Sequence, residues 1–331
     1  MIDYLSFKNM YKGLKKSCKG VRWKTSVTQY EINGLKNTAK LIRDIEAGTY
    51  KLSPYQEFEI FEPKRRHITA TRIKDRQVQR SLCDTTLYNA ITQSFIYDNC
   101  ACQHGKGTVF AMKRLKKRLQ RYYRKHGSNE GYFLKCDVHH FFESLDHDIL
   151  KEKLTKRLSN EHIRQMIFDI IDSFGERGIG LGSQVSQLLA LMFLDELDHY
   201  IKERLKVDTD VRYMDDIIII DESKEYLVEV KRQIEEYLSS IGLELNSKTT
   251  IQPLRKGVTF LNWKYRLTDS GKVLMLPNVQ KLAKKRRKIK SMKGKSLSLE
   301  VISQTVQGMI AHLSKGNSYK AIKQIISVLN K

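Results

Sequence analysis

The chain has 331 residues, which at ~150 residues per domain suggests about two domains or one enzyme built of subdomains. Hydrophobic residues are 40% and aromatic residues 9%, enough for a sizeable core, so wholesale disorder is excluded; 18 glycines and 4 prolines exclude a collagen-like or low-complexity chain. The formal net charge is +23, and a protein this basic is expected to meet a polyanion, either nucleic acid or an anionic membrane surface. No apolar run approaches the ~18 residues of a membrane span, and the opening MIDYLSFKNMYKGLKK has no apolar secretory core, so a cytoplasmic protein away from membranes is expected. The cysteines, Cys18, Cys83, Cys100, Cys102 and Cys136, form no CxxC pair, which argues against a disulfide framework or a zinc finger; they read as small reduced core residues.

Residues 1–60 read as helical and basic, with a break at Ser53-Pro54. EFEIFEPKRRHITA, from Glu57 to Ala70, alternates apolar and polar residues around a cationic turn and predicts a β-hairpin. Asp75 to Asp98 reads as one helix. KRLKKRLQRYYRK, Lys113 to Lys125, holds eight basic residues and no acid; Leu115, Leu119 and Tyr122 form one inward stripe and the rest is expected to be a cationic face. Gly131 to Val138 predicts a buried strand, Leu188 to Lys206 a long helix, Val211 to Asp221 two short strands around a turn, Lys224 to Ile241 a helix and Val258 to Leu267 a strand pair. After Gly271 the chain reads as helical, with nine Lys/Arg from Lys281 to Lys295. The class is α+β with a mainly antiparallel sheet.

Tyr213-Met214-Asp215-Asp216 carries the chemistry. Two adjacent acids precede four isoleucines, so they stand at a hairpin tip on the edge of a core, where a divalent cation relieves their repulsion. Asp137 also ends an apolar strand and is followed by Phe141-Phe142. Two such strands could hold two Mg²⁺ ions about 3.5–4 Å apart, activating a 3′-hydroxyl and stabilising pyrophosphate. Hard oxygen donors with no His/Cys cluster favour Mg²⁺, with Mn²⁺ as a substitute. Asp146 and Asp148 read as caps of the next helix.

With YMDD behind a strand and DVHHFF upstream, the chain resembles the palm of a reverse transcriptase. EPKRRHITATRIKDRQVQ resembles the fingers block, LKCDVHHFFESLDH motif A, GIGLGSQVSQLLALMFLDELD motif B, RYMDDIIII motif C, GLELNSKTT motif D and VTFLNWKY the primer grip. Six motifs in order over residues 57–267 are a specific signal. Leu181-Gly182 followed by Ser186-Gln187, where most members carry Gln-Gly, is similar to the enzymes of diversity-generating retroelements, as are RIKDRQVQ and NCACQHGKG. Defence-associated reverse transcriptases with a dedicated noncoding RNA share parts of this pattern and are the alternative.

The resemblance implies a right-hand polymerase fold: an N-terminal helical extension (1–56), fingers (57–136), palm with the motif B region (137–267) and a basic helical thumb (268–331). It implies Asp137, Asp215 and Asp216 as metal carboxylates, with the carbonyl of Val138 as a further ligand. Phe142 takes the place of the aromatic sugar gate, although Phe141 and Phe142 could exchange roles. Lys64 and Arg66, with Arg65, would clamp the triphosphate, and Leu181, Gly182, Gln187 and Lys248 would meet the nucleotide. Arg76 with Gln79 would buttress the fingers or touch template. Tyr213, Phe260, Leu261, Asn262 and Trp263 would grip the primer, and Lys284 and Arg286 would hold nucleic acid. Cys102, Gln103, His104 and Lys106 read as a template-contact loop, and His139 and His140 as neighbours of Asp137 rather than ligands. Implied partners are template RNA, primer or cDNA, dNTPs and a small basic accessory protein, often a pentamer. A non-catalytic RNA-binding relic is disfavoured by the intact aspartates.

Overall fold

The computed structural model describes residues 3–61, 65–295 and 297–329. The chain divides into two interleaved units: Met1–His104, Asp137–Lys206 and Arg232–Ser247 form the first, and Gly105–Cys136, Val207–Lys231 and Lys248–Lys331 the second. The class is α+β, and among the described residues every strand pair is antiparallel.

The first unit opens with α1 (Phe7–Cys18), α2 (Thr25–Ile32) and α3 (Gly34–Glu46). Ser6 caps α1 by accepting from Asn9 N, and Met10, Leu14 and Cys18, four residues apart, form its buried stripe. Strands β1 (Gln56–Ile60) and β2 (Arg66–Ala70) make the expected hairpin, in register from Gln56↔Ala70 to Ile60↔Arg66. Next come α4 (Ile73–Leu82), a π turn at Cys83–Leu87 and α5 (Tyr88–Thr92). The single helix expected from Asp75 to Asp98 is therefore broken by a π turn and ends at Thr92. Beyond it Ser94 donates its hydroxyl to the buried Asp195 carboxylate (2.6 Å) instead of continuing the helix.

In the second unit, α6 (Thr108–His126) buries Leu115, Leu119 and Tyr122 as expected, but Arg118 also turns inward. The basic face is therefore narrower than the sequence suggests. Strand β3 (Tyr132–Cys136) follows. The first unit then resumes with α7 (Phe141–Ser144), α8 (His147–Thr155), α9 (Glu161–Asp172), α10 (Gln184–Phe193) and α11 (Asp195–His199), the last running into a π turn at Tyr200–Arg204. Asp146 caps α8, accepting from Asp148 N and Ile149 N.

A four-stranded sheet has the order β4-β5-β3-β6, built from β3, β4 (Asp210–Tyr213), β5 (Asp216–Asp221) and, after α12 (Lys224–Ser240), β6 (Thr250–Pro253). Ile217 to Ile220 are all buried, so β5 is covered on both faces, which is why it reads as a continuous apolar run rather than an alternation. Each buried isoleucine contributes roughly 1.5–3 kcal/mol. Helix α6 packs against β4 and β5.

A three-stranded sheet follows: β7 (Val258–Phe260), β8 (Trp263–Leu267) and β9 (Val273–Pro277). Strand β9 lies where only helix was expected; its five residues carry no clean alternation, and pairing to β8 decides their state. Helices α13 (Val279–Gly294), α14 (Leu299–Leu313) and α15 (Tyr319–Leu329) close the unit around Ile289, Val306, Leu313 and Ile325. No helix among the described residues is long and apolar enough to cross a membrane.

Candidate active site

The β4–β5 hairpin pairs Tyr213 with Asp216 across a two-residue turn, Met214-Asp215. Met214 has φ 57, a left-handed conformation that a bulky residue adopts only under constraint. One constraint is visible. Arg212, 1% exposed, donates from Nη1 to the Met214 carbonyl (3.0 Å), so a buried guanidinium braces the turn from below. The two acids are thereby held side by side, each half-buried.

Lys135 on β3 places Nζ 3.2 Å from Asp216 Oδ1 and also donates to the Thr259 carbonyl on β7 (3.3 Å). One ammonium thus ties the acidic turn to the next sheet. The Tyr213 ring meets Phe260 edge to face, centroids 6.5 Å apart. Sequence reasoning missed Arg212 and Lys135: each lies inside a motif, but only strand register shows that they face the turn.

Asp137 is half-buried and directly follows β3; its carbonyl accepts from Asn246 N (2.7 Å). Val138 is 3% exposed and forms a bridge with Leu245, while His139 N donates to Glu244 O. His140 carries φ 42 and its Nδ1 contacts Glu143, consistent with a local turn. Among the described residues no three His, Cys, Asp or Glu side chains are gathered closely enough to hold a metal ion. The donor chemistry still fits a divalent cation: the turn offers hard carboxylate oxygens, and a cationic group, Lys135, already stands at one of them.

Phe141 is buried (3% exposed), whereas Phe142 is half-buried and lines an open cavity of about 210 Å³ with Thr69, Gly180 and Leu181. The Phe142 carbonyl is fixed by Ile179 N (2.8 Å). Leu181 O accepts from Thr69 N (3.1 Å), docking motif B on β2. Gly182 has φ 137, and a Cβ there would stand 3.1 Å from Thr69 O, so both backbone conformation and close approach call for glycine. Ser183 caps α10 by accepting from Ser186 N (2.9 Å); Ser186 is buried, while Gln187 is exposed.

Lys64 lies outside the described residues. Arg65 is held by Glu59 in a two-point ion pair, which leaves Arg66, exposed at the start of β2, as the described cation of this hairpin arm without that tie. Lys248 is exposed on the approach to β6. Arg76 and Gln79 share α4 and line a different cavity, with Gln187. Lys284 and Arg286 are exposed on α13.

The primer-grip assignment needs correction. Phe260 and Trp263 are 0% and 1% exposed, so their rings fill the core between strands and cannot reach a primer. Strand alternation turns Thr259, Lys264 and Arg266 outward instead. Leu261 and Asn262 have φ 47 and 73 and form the hairpin's two-residue turn; asparagine serves there because its short polar side chain tolerates a left-handed backbone. Cys102 is likewise exposed, unlike the other four cysteines, which are buried.

Residues 62–265 match the family model for reverse transcriptase (RNA-dependent DNA polymerase). The chain belongs to the reverse transcriptase family. That family's chemistry is RNA-directed DNA polymerisation, a nucleotidyl transfer, and its members use divalent metal ions. A curated relative of this reverse transcriptase domain is the "Putative COX1/OXI3 intron 2 protein" of Saccharomyces cerevisiae, 24% identical over 183 residues. That match takes in 50% of this chain and 20% of the relative, so the chain spans about a fifth of the relative's length. Among solved structures, apo telomerase of Candida tropicalis truncated from its C-terminal domain is similar at TM-score 0.51 and 15% identity, covering 68% of this chain and 56% of that one. Telomerase of Candida albicans in complex with a fragment of telomeric RNA is similar at TM-score 0.54 and 11% identity, covering 86% and 60%. At these identities the likeness is one of fold.

Proposed function

We propose that this chain copies a template RNA into cDNA by two-metal nucleotidyl transfer, as a cytoplasmic, error-prone polymerase of a diversity-generating retroelement. The observation that carries the polymerase reading is the Met214-Asp215 turn, braced by Arg212 and presenting two carboxylates from an antiparallel sheet. Asp137, with the carbonyl of Val138, completes the ligand set in this reading. Bound Mg²⁺, or Mn²⁺ in its place, would lower the pKa of a primer 3′-hydroxyl and neutralise charge on the leaving pyrophosphate.

The protein's own groups do the rest. Asp215 and Asp216 hold position because Tyr213 and Ile217 are fixed in the sheet. Arg66, with Lys64, meets the triphosphate, and Lys248 meets the departing phosphates. Phe142 lies against the sugar and excludes a 2′-hydroxyl, while Leu181, lining the same cavity, packs against the nascent pair. Residues 57–136 act as fingers, 137–267 as palm and 268–331 as thumb, after a 1–56 helical extension. In place of Phe260 and Trp263, outward Lys264 and Arg266 are the primer-side candidates.

The retroelement reading is supported by Leu181-Gly182 and Ser186-Gln187, where an apolar residue replaces the amide common in the family. It implies a structured template RNA and a small basic accessory protein. Purification from cells, followed by sequencing of the bound RNA and of its cDNA, tests it. Errors clustered in one repeat are expected; faithful copies of a single noncoding RNA would favour the defence role instead.

A further inference from the structure

Lys135 sits on β3, the strand between β5 and β6. Register pairs it with Ile218 on β5, so Asp216, two residues before Ile218, is its diagonal neighbour on the same face of the sheet. Diagonal neighbours stand roughly 7–8 Å apart, a gap that only a long side chain closes. Lysine closes it: Nζ lies 3.2 Å from Asp216 Oδ1, with both side chains 27% exposed. The same ammonium donates to Thr259 O on β7 (3.3 Å), so it is held from a second side.

Two adjacent carboxylates repel, and at a half-buried turn water screens them only in part. Here the fold supplies opposite charge itself. Arg212 braces the turn from below and Lys135 faces Asp216 from the side, so two acids meet two cationic side chains of the same chain. Carboxylate oxygens are also what a hard divalent cation takes as ligands. Lys135 therefore competes for Asp216, because two positive centres at one carboxylate repel strongly at such short range.

We propose that Lys135 is a resident counter-ion of the acidic turn: it occupies Asp216 in the nucleotide-free enzyme and releases it when that carboxylate serves a metal. The Thr259 carbonyl gives the released ammonium a place to stay, so the exchange needs a side-chain rotation and no movement of the strand. Lys135 thereby lowers the affinity of the turn for a lone divalent cation. It acts through Asp216 and is a positioning residue. The inference rests on the polymerase reading for the metal and adds to it the group that the metal displaces.

Binding of Mn²⁺ to the full chain, without nucleotide or nucleic acid, is followed by electron paramagnetic resonance of the free ion. Lys135→Met should tighten binding about tenfold or more, the scale of removing one nearby positive charge from a partly screened site. Lys135→Gln, which keeps a donor for Thr259 O, should do the same. Lys135→Arg, which keeps the charge, should bind as weakly as the wild type. The sign decides the matter: a lysine that merely held the turn together would, once removed, loosen the two acids and weaken the ion. Asp215→Asn added to Lys135→Met locates the ion and should abolish the gain. Unchanged or weaker binding in both Lys135→Met and Lys135→Gln, with Asp215→Asn still reducing it, overturns the counter-ion role and leaves the polymerase reading standing. Binding that Asp215→Asn leaves untouched in either background puts the ion elsewhere and overturns both.

Discussion

The basic helix α13 offers a quantitative test of nucleic-acid binding. Its sequence contains no acid, and Lys284, Arg286 and Arg287 are exposed, whereas Lys285 is half-buried and its ammonium is depressed by burial and by nearby Lys281. Replacing Lys284, Arg286 and Arg287 with Gln therefore removes three solvent-facing charges and leaves the packed Ile289 alone. If each contacts a single-stranded phosphate, the slope of log affinity against log salt should flatten by about 2, from ~0.7 per contact. Between about 50 and 200 mM salt, wild-type affinity should then fall roughly 16-fold more than that of the variant, and the two curves should converge at high salt. Fluorescence anisotropy with a labelled RNA over a salt series measures this, with circular dichroism as the fold control. Parallel lines with unchanged slope would mean that this face is only solvated and that the thumb assignment of Lys284 and Arg286 is wrong.

Three further outcomes are expected. Phe142→Val should raise ribonucleotide incorporation roughly tenfold or more relative to dNTPs; primer extension with mixed nucleotides checks it, and unchanged discrimination would place the gate elsewhere. Leu181→Gln should lower misincorporation several-fold, the worth of one discriminating hydrogen bond of ~1 kcal/mol; sequencing of cDNA from one defined template decides it, and an identical error spectrum refutes it. In the N-terminal helices, hydrogen bonds from Arg22 (2.7 and 2.8 Å), against the opposing effect of burial and aided by Lys15, hold the Glu31 carboxyl down at about 2. Because the folded pKa lies below the unfolded value, the stabilisation is present above pH ~4.5 and lost as pH falls from there towards 2. Thermal melts of wild type and Glu31→Gln should therefore differ at pH 6 and converge near pH 2; a constant gap would contradict the pairing.

The β4–β5 hairpin was legible because its sequence signals are strong and local. Four consecutive isoleucines behind two acids leave one arrangement, a doubly covered strand entered from a polar turn, and the β4–β5 register realises it. The β1–β2 hairpin was legible for the same reason, since alternation of period two survives in the sequence. The β7–β8 hairpin was only half legible. VTFLNWKY gives the strands, but aromatic residues in a nucleic-acid motif suggest contact, whereas sheet pairing sends Phe260 and Trp263 inward and Lys264 and Arg266 outward. Strand β9 was hidden because its state depends on β8, a neighbour in space. Arg212 and Lys135 were invisible as site residues because their partners are a backbone carbonyl and a carboxylate brought near only by register.

The most direct test of the central claim is primer extension on an RNA template by Asp215→Asn beside wild type, with Mg²⁺ and with Mn²⁺. The reading predicts metal-dependent DNA synthesis by the wild type and a loss of at least about 10³-fold in the variant, the scale of removing a metal's transition-state stabilisation. RNA affinity should be unchanged, because the cationic surfaces of α6 and α13 are untouched. Extension by Asp215→Asn at near wild-type rate would contradict the account.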